Sequence, residues 1–252
     1  MDPAEQFGLD GQVAVVTGAG RGIGEGIAKV FARAGASVVV AARRTNEIER
    51  VAKEITDAGG SAVPVTTDVT DDHQVDALAQ AAISQFGSLT CWVNNAGGSP
   101  VRTPLRELAR DDWDNTIALN LSAVWAASAI ASRHIERGTI INISSPAGEH
   151  VVPSSGHYCA AKAGVNMLTK VFAAELAPDI RVNAIAPGAV PTEIMMTALG
   201  LDSETVGKIA EGGRIPLGRL GTPDDMGLCA LYLASAASAW MTGQVLTVSG
   251  GR

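Results

Sequence analysis

The chain predicts an α/β fold built on a doubly wound parallel sheet, on the strength of three observations. Short apolar runs alternate with longer amphipathic stretches along the whole sequence, as in successive strand–helix–strand units. The short runs are rich in Val, Ile and Ala rather than strictly alternating, which suits strands covered on both faces. Aromatic residues make up only 4% of the 252 residues while hydrophobic residues reach 46%, so small aliphatic side chains carry the packing. That length suits a single domain spanning 1–252, and no linker, repeat or low-complexity tract divides it.

Residues 12–17 read as the first strand, followed by a glycine-rich turn and a helix over 22–34 that Gly35 ends. A strand at 37–42 leads into a helix over 45–58, stopped by Gly59 and Gly60. The third strand is expected at 62–67, with a helix over 71–86 opened by acidic residues, and the fourth strand at 89–94. A long helix is expected over 111–137, then a strand ending at Ser144 and a helix over 155–177. A strand at 180–186, a helix at 223–233 and a last strand at 244–248 complete the pattern. Residues 192–222 fit it worst and are expected to form a flap over the site, with Ile194, Met195, Met196 and Leu199 as its apolar cover.

With 19 Lys and Arg against 26 Asp and Glu, the net charge of −7 argues against nucleic acid or an anionic membrane as partner. Cys91, Cys159 and Cys229 show neither disulfide nor zinc spacing, and no His, Asp or Glu set has metal-ligand spacing. No signal segment opens the chain, and 117–132 is too interrupted by polar residues for a membrane span; a cytoplasmic protein is expected.

Three features point to chemistry. The first strand ends in Thr17-Gly18-Ala19-Gly20-Arg21-Gly22-Ile23-Gly24, where glycines permit a sharp turn and close approach of a pyrophosphate to a helix N-terminus. Tyr158 and Lys162 stand four residues apart on one helix face. A free Tyr titrates near pH ~10, and an ammonium ~4 Å away at an effective dielectric of ~20 supplies the roughly 4 kcal/mol that brings it to neutrality. Ser145 follows a buried strand at the carboxyl end of the sheet, where sites gather in such folds.

Further along lie Asn94-Asn95-Ala96-Gly97 after the fourth strand, Asn120 inside an apolar helix, and Pro187-Gly188-Ala189-Val190-Pro191-Thr192 after the sixth strand. Taken in order with Thr17–Gly24, Ser145 and the Tyr-x3-Lys pair, these six motifs resemble the classical short-chain dehydrogenase/reductase family over essentially the whole chain. Within it, 185–192 and 239–251 look similar to bacterial 3-oxoacyl-thioester reductases and 7α-hydroxysteroid dehydrogenases.

The resemblance implies a Rossmann-type sheet of seven strands in the order 3-2-1-4-5-6-7 and interconversion of a secondary alcohol and a ketone. Tyr158 is then the general acid or base, Lys162 lowers its pKa and holds the nicotinamide ribose, Ser145 holds the substrate oxygen, and Asn120 anchors a water leading from Lys162. Cofactor contacts are implied for Gly18, Gly20, Arg21, Gly22, Ile23, Gly24, Asp68, Val69, Asn95, Ala96, Gly97, Pro187, Gly188, Val190 and Thr192. A homotetramer is implied, with the long helices forming one interface and the last strand with Trp240 the other.

Cofactor choice turns on the end of the second strand, where Ala42 replaces the carboxylate that grips a ribose 2′-hydroxyl. Arg43, Arg44 and Arg21 suit a 2′-phosphate, so NADP(H) is expected over NAD(H). Glu149 and His150 are candidates for the substrate mouth. His157 is expected to face away from Tyr158, Cys159 to be a packing residue, and Pro146 to stiffen the loop after Ser145. Arg102, Arg106 and Arg110 hint at a basic patch for a carrier's phosphopantetheine arm.

Overall fold

The protein was analysed as a computed structural model that describes residues 5–193, 196 and 215–251. Strands and helices alternate as the apolar runs require: β1 (Val13–Thr17), α1 (Gly22–Arg33), β2 (Ser37–Ala42), α2 (Thr45–Asp57), β3 (Ser61–Thr66), α3 (Asp72–Phe86) and β4 (Cys91–Asn94). After them come α4 (Arg110–Ile117), α5 (Ala123–His134), β5 (Gly138–Ile143), α6 (Gly156–Leu176), β6 (Ile180–Pro187), α7 (Pro223–Ala234) and β7 (Val245–Val248). The seven strands form one parallel sheet in the order β3-β2-β1-β4-β5-β6-β7. Order therefore reverses between β1 and β4, the point at which such sheets open a crevice.

Strand alternation divides the core into two layers. Ala14, Val16, Val38 and Val40 pack beneath α1, α2 and α7, against Ile27, Phe31, Val51 and Met226. Val13, Val15, Val39 and Ile140 face α3, α5 and α6, against Leu78, Ile130 and Phe172. Each Val, Ile, Leu, Phe or Met side chain among them, fully removed from water, contributes about 1.5–3 kcal/mol.

One buried polar chain runs through the second layer. Trp92 Nε1 donates to Asn94 Oδ1 at 2.7 Å, and Asn94 Nδ2 donates to Ser128 Oγ and Asn142 Oδ1, each at 2.9 Å. Asn142 Nδ2 reaches Thr169 Oγ1 at 3.0 Å. Because unmet polar groups are costly here, this chain fixes β4, β5, α5 and α6 in one register. Ser144 adds a 2.5 Å bond to Asn166 Oδ1 of α6. The helix carrying Tyr158 and Lys162 is thereby held to the strand that leads to Ser145.

The single helix expected over 111–137 is instead two helices, joined by a π-helical turn at Ala118–Ser122, and it ends at His134. The extra residue of that turn is invisible to a 3.6-residue periodicity, and Asn120 sits within it; such turns are frequent at functional sites. Of the expected flap, Ile194, Met195 and Leu199 lie outside the described residues. No helix among the described residues is long and apolar enough to cross a membrane.

Candidate active site

A cleft of about 930 Å3 opens at the carboxyl ends of the central strands. Ala42, Arg43, Asp68 and Val69 line the end near β2 and β3, and Ser145, Tyr158, Lys162 and Gly188 the end near β5 and β6. The glycine turn runs between them.

In that turn Gly18, Gly20, Arg21, Gly22 and Ile23 line the cleft. Gly18 adopts φ +62°, and a Cβ there would stand 2.9 Å from Ala96 Cα, so only glycine lets the loop pass beneath β4. The N-terminus of α1 receives no side-chain cap, which leaves its first amides for an anion. Gly24 does not line the cleft; it lies where a Cβ would come 2.4 Å from Gly18 O and from Asn95 Nδ2, closing the turn from within. Asn95 holds the turn from the other side, its Nδ2 donating to Thr17 O at 2.8 Å, while Thr17 Oγ1 accepts from the amides of Asn95 and Ala96. An elongated cleft, a glycine floor and uncapped helix amides fit a dinucleotide.

The three arginines expected around a 2′-phosphate do not stand alike. Arg21 lines the cleft and is ion-paired with Glu193. Arg44 Nε pairs with Glu47 at 3.0 Å, and Glu47 itself lines the cleft. Arg43 is exposed at the cleft rim and faces Asp68, whose carboxyl is held below its usual range by Thr70, with a smaller contribution from Arg43.

At the other end, Ser145 caps the short 3-10 turn Pro146–Gly148, its Oγ accepting from Ala147 N at 3.2 Å. Pro146 is the first residue of that turn, where a missing N–H costs nothing. Tyr158 lines the cleft beside Ser145, whose hydroxyl acts to lower the pKa of the phenol. Lys162 is buried, with Nζ 2.8 Å from Ile143 O and 5.6 Å from the centroid of the Tyr158 ring.

The expectation that Lys162 brings the phenol to neutrality is not met. Burial pushes Tyr158 up to about 12, with the Ser145 hydrogen bond working against it, and burial lowers Lys162 to about 8. The ammonium lies against the ring rather than at the hydroxyl, and desolvation outweighs it. At neutral pH the phenol keeps its proton and the ammonium its charge.

Asn120 is fully buried and does not line the cleft. Its Oδ1 accepts from Gly98 N at 2.7 Å, and its Nδ2 donates to Gly98 O and Thr116 O, each at 3.0 Å. Both amide hydrogens are engaged, so the side chain braces the loop after β4. Gly97 lies between them, where a Cβ would meet Asn120 Oδ1 at 2.9 Å and Lys162 Nζ at 3.6 Å. Asn95, Ala96, Gly97, Asp68, Val69, Pro187, Val190 and Thr192 all line the cleft.

Glu149 and His150 are exposed, between the cleft-lining residues Ala147 and Val152, and do not themselves line the cleft. The turn begun by Pro146 carries them outward, with His150 N bonded to Pro146 O at 2.8 Å. Arg106 and Arg110 pair with Glu107 and Asp114 at the surface, and of the three arginines Arg102 is the one that lines the cleft. Ser99 also lines the cleft and was not singled out in the sequence; its place directly after Asn-Asn-Ala-Gly-Gly was the available signal.

A parallel sheet reversing at β1 and β4, with a glycine turn at that point and Ser, Tyr and Lys at its far end, defines a dinucleotide-dependent oxidoreductase of the Rossmann type. A family model described as enoyl-(acyl carrier protein) reductase matches residues 18–252. An uncharacterised oxidoreductase of Methylorubrum extorquens is 42% identical over 247 residues, covering 96% of this chain and 98% of its own. A solved 7α-hydroxysteroid dehydrogenase, complexed with NADH and 7-oxo glycochenodeoxycholic acid, superposes with a TM-score of 0.92 at 36% identity, covering 100% of this chain and 98% of that one. A gluconate 5-dehydrogenase from Burkholderia cenocepacia, in complex with NADP and tartrate, gives 0.90 at 36% identity over 99% and 98%. The chain belongs to the short-chain dehydrogenase/reductase family and is an oxidoreductase acting on CH–OH groups with NAD(P).

Proposed function

We propose that the protein is an NADP(H)-dependent oxidoreductase that interconverts a secondary alcohol and a ketone, with carbonyl reduction as its favoured direction. The observation that carries this reading is Ser145, Tyr158 and Lys162 together in the cleft wall, with the buried Lys162 ammonium against the phenol ring. The phenol carries its proton at neutral pH, and reduction asks it to give that proton to the substrate oxygen. Ser145 orients and polarises the substrate oxygen, Tyr158 delivers the proton to it, and the Lys162 charge stabilises the phenolate left behind. The dinucleotide, when bound, supplies the hydride. Asn120 supports the site by holding the Gly97–Gly98 backbone.

Similar structures hold NADH in one case and NADP in another, so the choice rests on this chain's own residues. Arg43 at the end of β2 favours NADP(H), since no carboxylate occupies Ala42 and Arg44 meets the charge of Glu47. The Glu47 carboxylate in the same wall is what favours a second reading, a hydroxysteroid dehydrogenase using NAD(H). The test is kcat/KM with NADPH and NADH over ketosteroids, 3-oxoacyl thioesters, quinones and cyclic ketones. We expect reduction of at least one class with NADPH preferred, and a loss of preference of about tenfold in Arg43→Ala. A clear preference for NADH contradicts the cofactor assignment; no turnover with any class contradicts the activity.

We further infer a homotetramer. Trp125 on α5 with Met167 and Val171 on α6 leave large apolar surface in water, and Trp240 and Leu228 do so near β7. Two separate apolar faces suit two interfaces. Sedimentation equilibrium showing a monomer would contradict this. Cytoplasmic residence belongs to the same proposal, favoured by three cysteines without a disulfide.

A further inference from the structure

We infer that the loop after β4 carries a carboxylate-recognising subsite, formed by Ser99 and Arg102 with His157 as positioning residue, so that the substrate is a ketone or alcohol bearing a carboxylate. The inference deepens the oxidoreductase reading and rests on it for the statement that the ligand is a substrate.

The charge of the cleft wall is the first observation. Its acidic members are Glu47 and Asp68, at the end near β2 and β3, and Glu193, which Arg21 engages. Among the described residues the charged groups at the catalytic end are Lys162 and Arg102, both cations. Lys162 is committed to Ile143 O and the Tyr158 ring. Arg102 has no carboxylate partner among the described residues, whereas its neighbours Arg106 and Arg110 each have one. A cation in the wall of the substrate end, with no anion of the protein to meet it, suits an anion of the ligand.

The second observation concerns His157, which is fully buried beside Tyr158. Its Nε2 stands 3.0 Å from Ser99 Oγ, and its Nδ1 is buried without a partner. A proton on Nδ1 would be an unmet buried donor, so we assign the proton to Nε2. Burial lowers the pKa of the ring, with Asp112 of α4 opposing, which agrees with one proton rather than two. Nε2 then donates to Ser99 Oγ, and the Ser99 hydrogen is left to point away from the ring, into the cleft that Ser99 lines.

Together the wall offers a hydroxyl hydrogen and a guanidinium, a donor pair that suits the two acceptor oxygens of a carboxylate. An alcohol or amide ligand has donors of its own to satisfy, whereas a carboxylate accepts at both oxygens. The loop is set firmly enough to select. Thr103 N bonds Ser154 O at 2.9 Å, Leu105 packs on Gly156 at the start of α6, and Asn120 holds Gly98 from beneath. The subsite therefore stands at a fixed offset from Tyr158, and a carboxylate held there places the carbonyl by the rest of the molecule.

Calorimetry on the protein saturated with NADP+, in which a ketone cannot be reduced, tests this without turnover. The probes are 4-oxocyclohexanecarboxylate and 7-oxo glycochenodeoxycholate, each against its methyl ester. We expect at least one carboxylate to bind about tenfold or more tightly than its ester, and the gap to close in Arg102→Gln through weaker carboxylate binding. Equal binding of acid and ester, a gap that survives Arg102→Gln, or no binding of either carboxylate would overturn the proposal. His157→Gln should weaken carboxylate binding in the native background and add nothing in Ser99→Ala; additive losses would make His157 merely structural. Turnover separates the two readings. Reduction of esters and acids alike sinks the subsite and leaves the enzyme, while acid-selective binding without any reduction sinks the activity and leaves the subsite.

Discussion

Replacing Tyr158 with Phe should lower kcat for ketone reduction by about 10²–10⁴-fold, the usual contribution of a positioned general acid. The substitution keeps the ring on which the Lys162 ammonium rests, 5.6 Å from its centroid, and removes only the hydroxyl. Stability should change little, since a half-buried hydroxyl facing the cleft is exchanged for a hydrogen of the same ring. Steady-state kinetics with NADPH, paired with thermal melting, checks both halves. A variant that retains kcat would show that the proton comes from elsewhere. A biological effect that survives the change in a protein without turnover would point to a regulator that binds cofactor without using it.

The second large effect is expected from Lys162→Met, with stability and activity moving in opposite directions. Burial takes Lys162 from 10.5 to about 8. At 1.36 kcal/mol per pKa unit that corresponds to a destabilisation of about 3 kcal/mol from keeping the ammonium in the fold. For a base whose folded pKa is lowered, the destabilisation is fully present below pH 8. It is relieved as pH rises from 8 towards 10.5, because the unfolded chain then holds a proton that the folded chain has released. Methionine fills the same space without a charge. The variant should therefore be more stable than the parent in urea at pH 7, and the difference should shrink as pH rises through that window. Its kcat/KM should fall by about 10²-fold or more, since the forming phenolate loses its counter-charge. A variant less stable at neutral pH would show that the bond to Ile143 O outweighs desolvation.

The sheet was legible because apolar runs and glycine stops are local. The register of β1 against β2 and β4 follows once both faces are buried. Strand order came with the family resemblance, since periodicity alone does not rank parallel strands. What stayed hidden was set by distant partners or by depth. The ion pair of Arg21 with Glu193 is one example, since nothing near Arg21 in sequence announces it. The π-helical turn at Ala118–Ser122 looked like ordinary helix, since one extra residue leaves composition unchanged. Tyr158 and Lys162 were placed together by spacing, yet their charges are governed by burial, which spacing does not report. Ser99 and His157 meet across 58 residues, and only the fold brings that pair together.

Proton exchange between Tyr158 and the substrate oxygen is the centre of the functional proposal, and one crystal structure addresses it, of the protein with oxidised dinucleotide and a carboxylate-bearing ketone. The expected result is a ketone oxygen within about 3.2 Å of both the Tyr158 hydroxyl and Ser145 Oγ. A ketone oxygen beyond reach of that hydroxyl, with the phenol closed off from the nicotinamide by the surrounding side chains, would contradict it.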